Sequence, residues 1–293
     1  MLLPRGYDSH PDVHYPVVFT MIHNVPFGFT TDSTHARGRG TLNPVTGLET
    51  GYDFYTAWNS DGFPRMIAVR VEQQTPYFPD SYSINSANNG PYGDAMVDEV
   101  IPYLERQFRI IPTPHARLVE GASTGGWQAL ALQLHYPEVF GGAWVLQPDP
   151  IDFRRYQLVN IYDDTNALAF PNGQLGTADR PFRRTVEGQP LWSVRALSRI
   201  EHVLGSRGRS GYQLGAWEAT YGPVGKDGYP VPLWDKRTGT IDREVATYMR
   251  EHGYDLRDYA QRHWGTLGPR WRASCTSSPG TWMISTTASA WSY

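Results

Sequence analysis

Residues 117–130 read RLVEGASTGGWQAL, with Ser123 among small residues where a short apolar run gives way to a helical pattern. A serine hydroxyl at such a junction can attack an acyl carbonyl, given a base for its proton and N–H donors for the oxyanion. The spacing Gly121-x-Ser123-x-Gly125 suits that task. The serine must sit on a sharp, strained turn, and the residues two before and two after it must be small so that strand and helix can approach. Gly126 adds another small residue. Such a turn lifts the hydroxyl above the strand ends and aims the first N–H groups of the helix at a bound carbonyl. A plainer reading stays open, because serine is also a favoured helix N-cap. With 29 glycines in 293 residues, a bare G-x-S-x-G arises by chance in about one such chain in five to ten.

The partners of that serine are harder to find. Of nine histidines, only His135, His202, His252 and His263 follow Ser123, and each also reads as a structural histidine. Asp149, at the exit of an apolar run over 141–147, is a candidate acid or simply a loop aspartate. His23 and Asn24 leave the apolar run 15–22, where a second oxyanion donor could lie. There is no HExxH, no CxxC with the single Cys275, no GxxxxGK[ST], and no GxGxxG after a strand, so neither a metal nor a cofactor is expected. A net charge of −3 gives no reason to expect nucleic acid as a partner. No apolar run reaches the length of a membrane span. The opening MLLPRGYDSH is not a signal peptide as written. Localisation and oligomeric state are left open.

The elements that must position these residues follow from periodicity. YPVVFTMI (15–22), RMIAVRVE (65–72), ARLVEG (116–121) and GGAWVLQPDP (141–150) are dense β-forming runs, read as buried strands. DAMVDEVIPYLERQF (94–108) reads as a helix from an Asp94 N-cap, with Met96, Val97, Val100, Ile101, Leu104 and Phe108 on one face. Pro102 should kink or split it. GGWQALALQLHY (125–136) is a helix stopped by Pro137. LWSVRALSRIEHVLG (191–205) and REVATYMREHG (243–253) read as helices ended by glycine. Residues 75–93 read as a long polar loop, and 151–255 as an irregular region that caps the sheet. The alternation of short apolar strands with helices predicts an α/β fold with a mostly parallel sheet flanked by helices. Aromatic residues, 13% of the chain, serve core packing or a ring-lined cleft.

Three stretches resemble the "putative esterase" family of α/β hydrolases, which groups esterase D-type, feruloyl-esterase-like and antigen 85-type proteins. They are LLPRGYDSHPDVHYPVVF, GPYGDAMVDEVIPYLERQF and, most specifically, GASTGGWQALALQLHYPEVFGGA. The resemblance runs from about residue 2 to residue 272. It implies an α/β-hydrolase fold and cleavage of small-molecule carboxylic esters, or acyl transfer, by a Ser–His–acid triad without a metal. It places the nucleophile at Ser123 and an oxyanion donor at the N–H of Thr124. The second donor would come from the loop after 15–22, where the family typically carries His-Gly; His23 matches and Asn24 departs from the glycine.

The tail ASCTSSPGTWMISTTASAWSY (273–293) holds no charged residue and no leucine, and composition shifts abruptly at Ala273. Read one base earlier, Trp282-Met283-Ile284 forces two adjacent aspartates, and the preceding codons permit an apolar strand before them. The expectation is therefore a domain over 1–272 and an irregular, out-of-frame tail over 273–293, with the sheet incomplete at its C-terminal edge. The strand carrying the acid and the catalytic histidine would be lost, leaving an impaired esterase or a non-catalytic binding remnant. By the same resemblance Met1 falls where the family's second strand should already be ending, so the start is expected to be short as well.

Overall fold

The computed structural model describes residues 1–21, 30–31, 51–172, 176–185, 187–206 and 209–276, with side chains up to Arg270. The chain divides into two compact units. The first comprises Met1–Glu72, Ala95–Asp149 and the residues from Pro269 onward; the second comprises Gln73–Asp94 and Pro150–Gly268.

The first unit is built on four parallel strands: β1 (Val17–Met21), β2 (Ile67–Val71), β3 (Arg117–Ser123) and β4 (Gly142–Pro148). Their order is β2-β1-β3-β4, with Val17 opposite both Ile67 and Arg117, and Leu118 opposite Gly142. The apolar runs of β1, β2 and β3 are buried at their centres, as expected; β4, expected to be buried, is not, for it ends the strand order and only Gly142 is buried while Trp144 is 38% exposed. On one face Val17, Phe19, Met21, Ile67, Val69 and Val119 join Met96, Ile101, Ala129, Leu132 and Phe140. On the other, Val18 and Ala68 pack with Phe54 and Trp58 of helix α1 (Gly51–Asn59), which periodicity had not revealed.

The helix expected over 94–108 exists, with a different start and a different middle. Tyr92–Asp94 is already helical, and the Asp94 N–H is bound by Asn85 Oδ1, so Asp94 is not the cap. Ala95–Val100 is wound as a π-helix and passes into α2 (Ile101–Gln107). Pro102 lies in the first turn of α2. Having no N–H, it cannot continue the preceding ladder, and a one-turn change of winding absorbs the defect without a break.

Helix α3 (Thr124–His135) starts and ends one residue earlier than the expected 125–136, with Tyr136 as its C-cap ahead of Pro137. Nearly all of its residues are buried, including Trp127 at 0% exposure.

The second unit has little sheet. Ala169–Pro171 pairs with Thr177–Asp179, and Pro181–Arg184 with Pro190–Ser193, both antiparallel. Residues 191–193, expected to open a helix, are therefore strand; α4 (Val194–Leu204) begins after Ser193, whose hydroxyl accepts the Ala196 N–H. Gly205 follows α4 in an extended conformation; a Cβ there would lie 2.2 Å from the Ser210 nitrogen. Helices α5 (Gln213–Tyr221), α6 (Arg243–Glu251) and α7 (Leu256–Thr276) complete the described residues. Asp242 caps α6 through the Glu244 and Val245 N–H groups, and Gly253 after it has a φ of 82°. Helix α7 runs through the compositional break at residue 273.

The stretch 75–93 is not a solvent loop. Asp80, Ser81, Tyr82, Ser83, Ile84 and Ser86 are all buried, and Asn85–Ser86 pairs with Gly90–Pro91. Its polar side chains bind inward to backbone: Ser86 and Asn88 donate to the carbonyl of Ala219 at 2.8 and 3.1 Å. Composition alone had suggested exposure because it does not show where hydrogen bonds go.

Candidate functional site

Ser123 ends β3 and directly precedes α3, with φ 56° and ψ −122°. That φ lies in the region L side chains rarely adopt, so the residue is strained. It is also exposed, unlike Gly121 before it and Thr124 after it. The strain follows from close approach of the two flanking elements. A Cβ on Gly121 would sit 2.3 Å from the carbonyl group of Gly125 and 2.7 Å from the Met21 oxygen. A Cβ on Gly126 would sit 2.7 Å from the Leu146 oxygen. Glycine at these two positions lets strand and helix meet nearly backbone to backbone.

Ladder register slips at this point. Ala122 faces Leu146, but Ser123 faces Pro148, and the Asp149 N–H donates to the Ser123 carbonyl at 3.1 Å. Asp149 is thereby brought beside the junction. Its Oδ1 accepts the Ser123 hydroxyl at 3.3 Å and its Oδ2 accepts the Thr124 hydroxyl at 3.0 Å. Thr124, 5% exposed, is the first residue of α3, where backbone N–H groups have no acceptor within the helix and the dipole favours negative charge.

Among the described residues no histidine is hydrogen-bonded to Ser123. His252 binds the Tyr248 carbonyl at 2.9 Å and stacks on that ring. His263 lies against Tyr259, and His202 is exposed on α4. His135 closes α3 at the end opposite Ser123. His23 and Asn24 lie outside the described residues. The described residues hold no group of three His, Cys, Asp or Glu side chains that could bind a metal ion, and no helix among them is long and apolar enough to cross a membrane.

The sequence reading missed a polar row three residues before the serine. Thr20 is in register with both Arg70 and Glu120, on the sheet face that carries Val18 and Ala68. The Thr20 hydroxyl donates to Glu120 Oε1 at 2.7 Å. Glu120 is only 4% exposed. Burial pushes its carboxyl above the usual glutamate range, opposed by the Thr20 hydrogen bond and by the Arg70 charge. Burial also lowers Arg70, opposed by Glu72 and Glu120. The signal was present as a single polar residue near the end of each of three apolar runs.

Comparison with known proteins sets this geometry in a family. A family model described as "Putative esterase" matches residues 47–197, a span that contains Gly121, Ser123, Thr124, Gly125 and Asp149. Among solved structures the chain is similar to a ferulic acid esterase at 18% identity and a TM-score of 0.33, over 51% of this chain and 53% of that one. It is similar to a fluorophosphonate-binding serine hydrolase of Staphylococcus aureus at 15% identity and a TM-score of 0.32, over 53% and 52%. It is also similar to a ferulic acid esterase of the anaerobic fungus Anaeromyces mucronatus at 19% identity and a TM-score of 0.32, over 52% and 52%. The match thus spans about half the length of each of these proteins. No curated protein matches the chain. With the family model covering just over half of its 293 residues, the chain belongs to this "Putative esterase" family.

Proposed function

We propose that the chain presents an ester-hydrolase site in which Ser123 is the nucleophile, and that this site turns over slowly. The observation that carries the first half is the strained, exposed Ser123 at a strand-to-helix junction closed by Gly121 and Gly126. In this reading the Ser123 Oγ attacks the ester carbonyl and its proton leaves to a base. The alkoxide is displaced from the tetrahedral intermediate, and water then cleaves the acyl-serine. The Thr124 N–H, at the head of α3, faces the developing oxyanion. Asn24 is proposed as the region of the second donor on the family's pattern alone.

The second half rests on the partner of Ser123. Its hydroxyl donates to the Asp149 carboxylate, with no imidazole between them among the described residues. An ordinary aspartate carboxylate holds a proton about four hundredfold more weakly than imidazole does, so it is a poor base for a serine. Asp149 is the acid of this site, and without an interposed histidine the rate falls toward the level that binding and oxyanion stabilisation alone sustain.

A fluorophosphonate probe and an activated aryl ester test both halves. Expected are slow, saturable labelling that Ser123→Ala abolishes, and turnover well below about 1 s⁻¹, the lower end of ordinary enzymes. Labelling that persists in Ser123→Ala refutes the nucleophile. Absence of labelling and of hydrolysis favours a non-catalytic binding remnant. Fast turnover refutes the impairment.

A further inference from the structure

In the second unit Arg209 is the described arginine whose guanidinium lies over two aromatic rings, with its Nε buried. Arg180 is paired with Asp164 at 2.8 Å and donates to the carbonyls of Leu158 and Asn166. Arg243 donates to the carbonyls of Ile161 and Asp164. The Arg209 side chain makes no hydrogen bond and no ion pair among the described residues; its Nε is sealed from solvent without an acceptor. Its guanidinium carbon instead lies 3.8 Å from the Tyr77 ring centroid and 4.1 Å from that of Tyr229.

The clasp is held before any ligand arrives. Tyr77 rides on a turn in which the Thr75 hydroxyl accepts the Tyr77 and Phe78 N–H groups, and Phe78 is buried at 5% exposure. Tyr229 ends a turn closed by Gly225 N–H to Tyr229 O at 2.7 Å, with the Asp227 carboxylate accepting the Tyr229 N–H. Next to Arg209, the Ser210 hydroxyl is tied to the buried Glu201 at 2.8 Å. The turns that carry Tyr77 and Tyr229 are thus hydrogen-bonded internally, and the Arg209 backbone N–H donates to the Ser206 carbonyl at 3.2 Å.

Ring stacking supports the charge through its faces, but it leaves the in-plane N–H groups without acceptors. A guanidinium held between two rings, with its terminal N–H edge unused among the described residues, matches the planar fork of a carboxylate. The Tyr77 ring, still 59% exposed, offers a flank for an apolar or aryl body attached to that carboxylate. We propose that Arg209, clasped by Tyr77 and Tyr229, is a binding site for small carboxylate anions, with a preference for aryl carboxylates. This inference is independent of the Ser123 reading.

The test is titration of the full chain with 4-fluorobenzoate, followed by fluorine NMR, with benzoate, acetate and inorganic phosphate as competitors. Expected are saturable millimolar binding, weaker competition by acetate than by benzoate, and a loss of about tenfold or more in Arg209→Gln. Arg209→Lys keeps the charge and should keep the fold, so it decides the matter if the glutamine variant does not fold; it should still bind several-fold more weakly because a point charge lacks the fork. Equal binding by wild type and the lysine variant, equal binding by a folded glutamine variant, or no saturable binding overturns the proposal. Phosphate competing better than benzoate overturns the carboxylate assignment.

Discussion

The two units are stabilised in different ways. The first packs a mostly aliphatic sheet: its central residues, Val17, Phe19, Ile67 and Val119, are buried in continuous apolar strands under helix stripes. The second packs rings around buried charge. Tyr156 meets Trp217 and Trp234, and Phe153 meets Tyr221. Within that unit Glu218, 2% exposed, accepts the Lys236 ammonium at 2.6 Å and the Leu233 N–H at 2.9 Å, while its Oε2 has no partner. Burial drives that carboxyl upward, and Lys236 opposes the shift. Glu201 accepts the Leu214 and Gly215 N–H groups at the start of α5. Asp255 accepts from Phe153 and Tyr162, and burial raises both that carboxyl and the Tyr162 phenol. One unit uses non-directional burial that tolerates many side chains. The other uses specific pairs, each of which is costly to break because its partner stays behind in low dielectric.

Breaking the first unit should be hardest to survive at the one place where backbone meets backbone. Gly121→Ala should cost about 4 kcal/mol or more, since the atoms within 2.3 Å of the new Cβ are main chain and cannot swing away. Urea denaturation measures this; a cost below about 1 kcal/mol means the junction is looser than the sheet geometry requires.

The second unit should respond next most strongly. Lys236→Met leaves Glu218 buried and unpaired, with an expected loss of about 3–5 kcal/mol. The double variant Lys236→Met with Glu218→Leu should recover most of it, because removing both charges also removes their desolvation cost. If the single variant behaves like a surface substitution, the contrast between the units fails.

The smallest effect sharpens the boundary case, a buried charge inside the aliphatic unit. Because the Glu120 carboxyl is raised on folding, its contribution is fully present below the ordinary glutamate value and is lost as pH rises through the folded value. Glu120→Gln should therefore gain in melting temperature relative to wild type as pH is raised from 4 to 8. A difference that is constant with pH shows that Glu120 is not raised on folding.

How much of this was legible depends on the range of the interactions involved. The strands around 17–21, 67–71 and 117–123 were readable because their central residues are buried on both faces, which leaves a continuous apolar run. The stretch 142–148 was readable as a strand from the same apolar density, but its burial was not, since it lies at the end of the four-stranded order. Ser123, Gly121 and Gly125 were readable because a sharp turn constrains residue size over five positions. The burial of 80–86 was not readable, because Ser86 and Asn88 find their acceptor at Ala219, far along the chain. Nor was α5 foreseen, whose first N–H groups are satisfied by a glutamate from another helix.

Local order thus determined the parallel sheet, its connecting helix and the strained serine, since steric exclusion and periodicity act between near neighbours. Tertiary structure alone decided that Asp149 receives the Ser123 hydroxyl, that Thr20, Arg70 and Glu120 form one row, and that Arg209 lies between two tyrosines. Those outcomes depend on side chains meeting across strands and turns, where distance along the chain carries no information about distance in space.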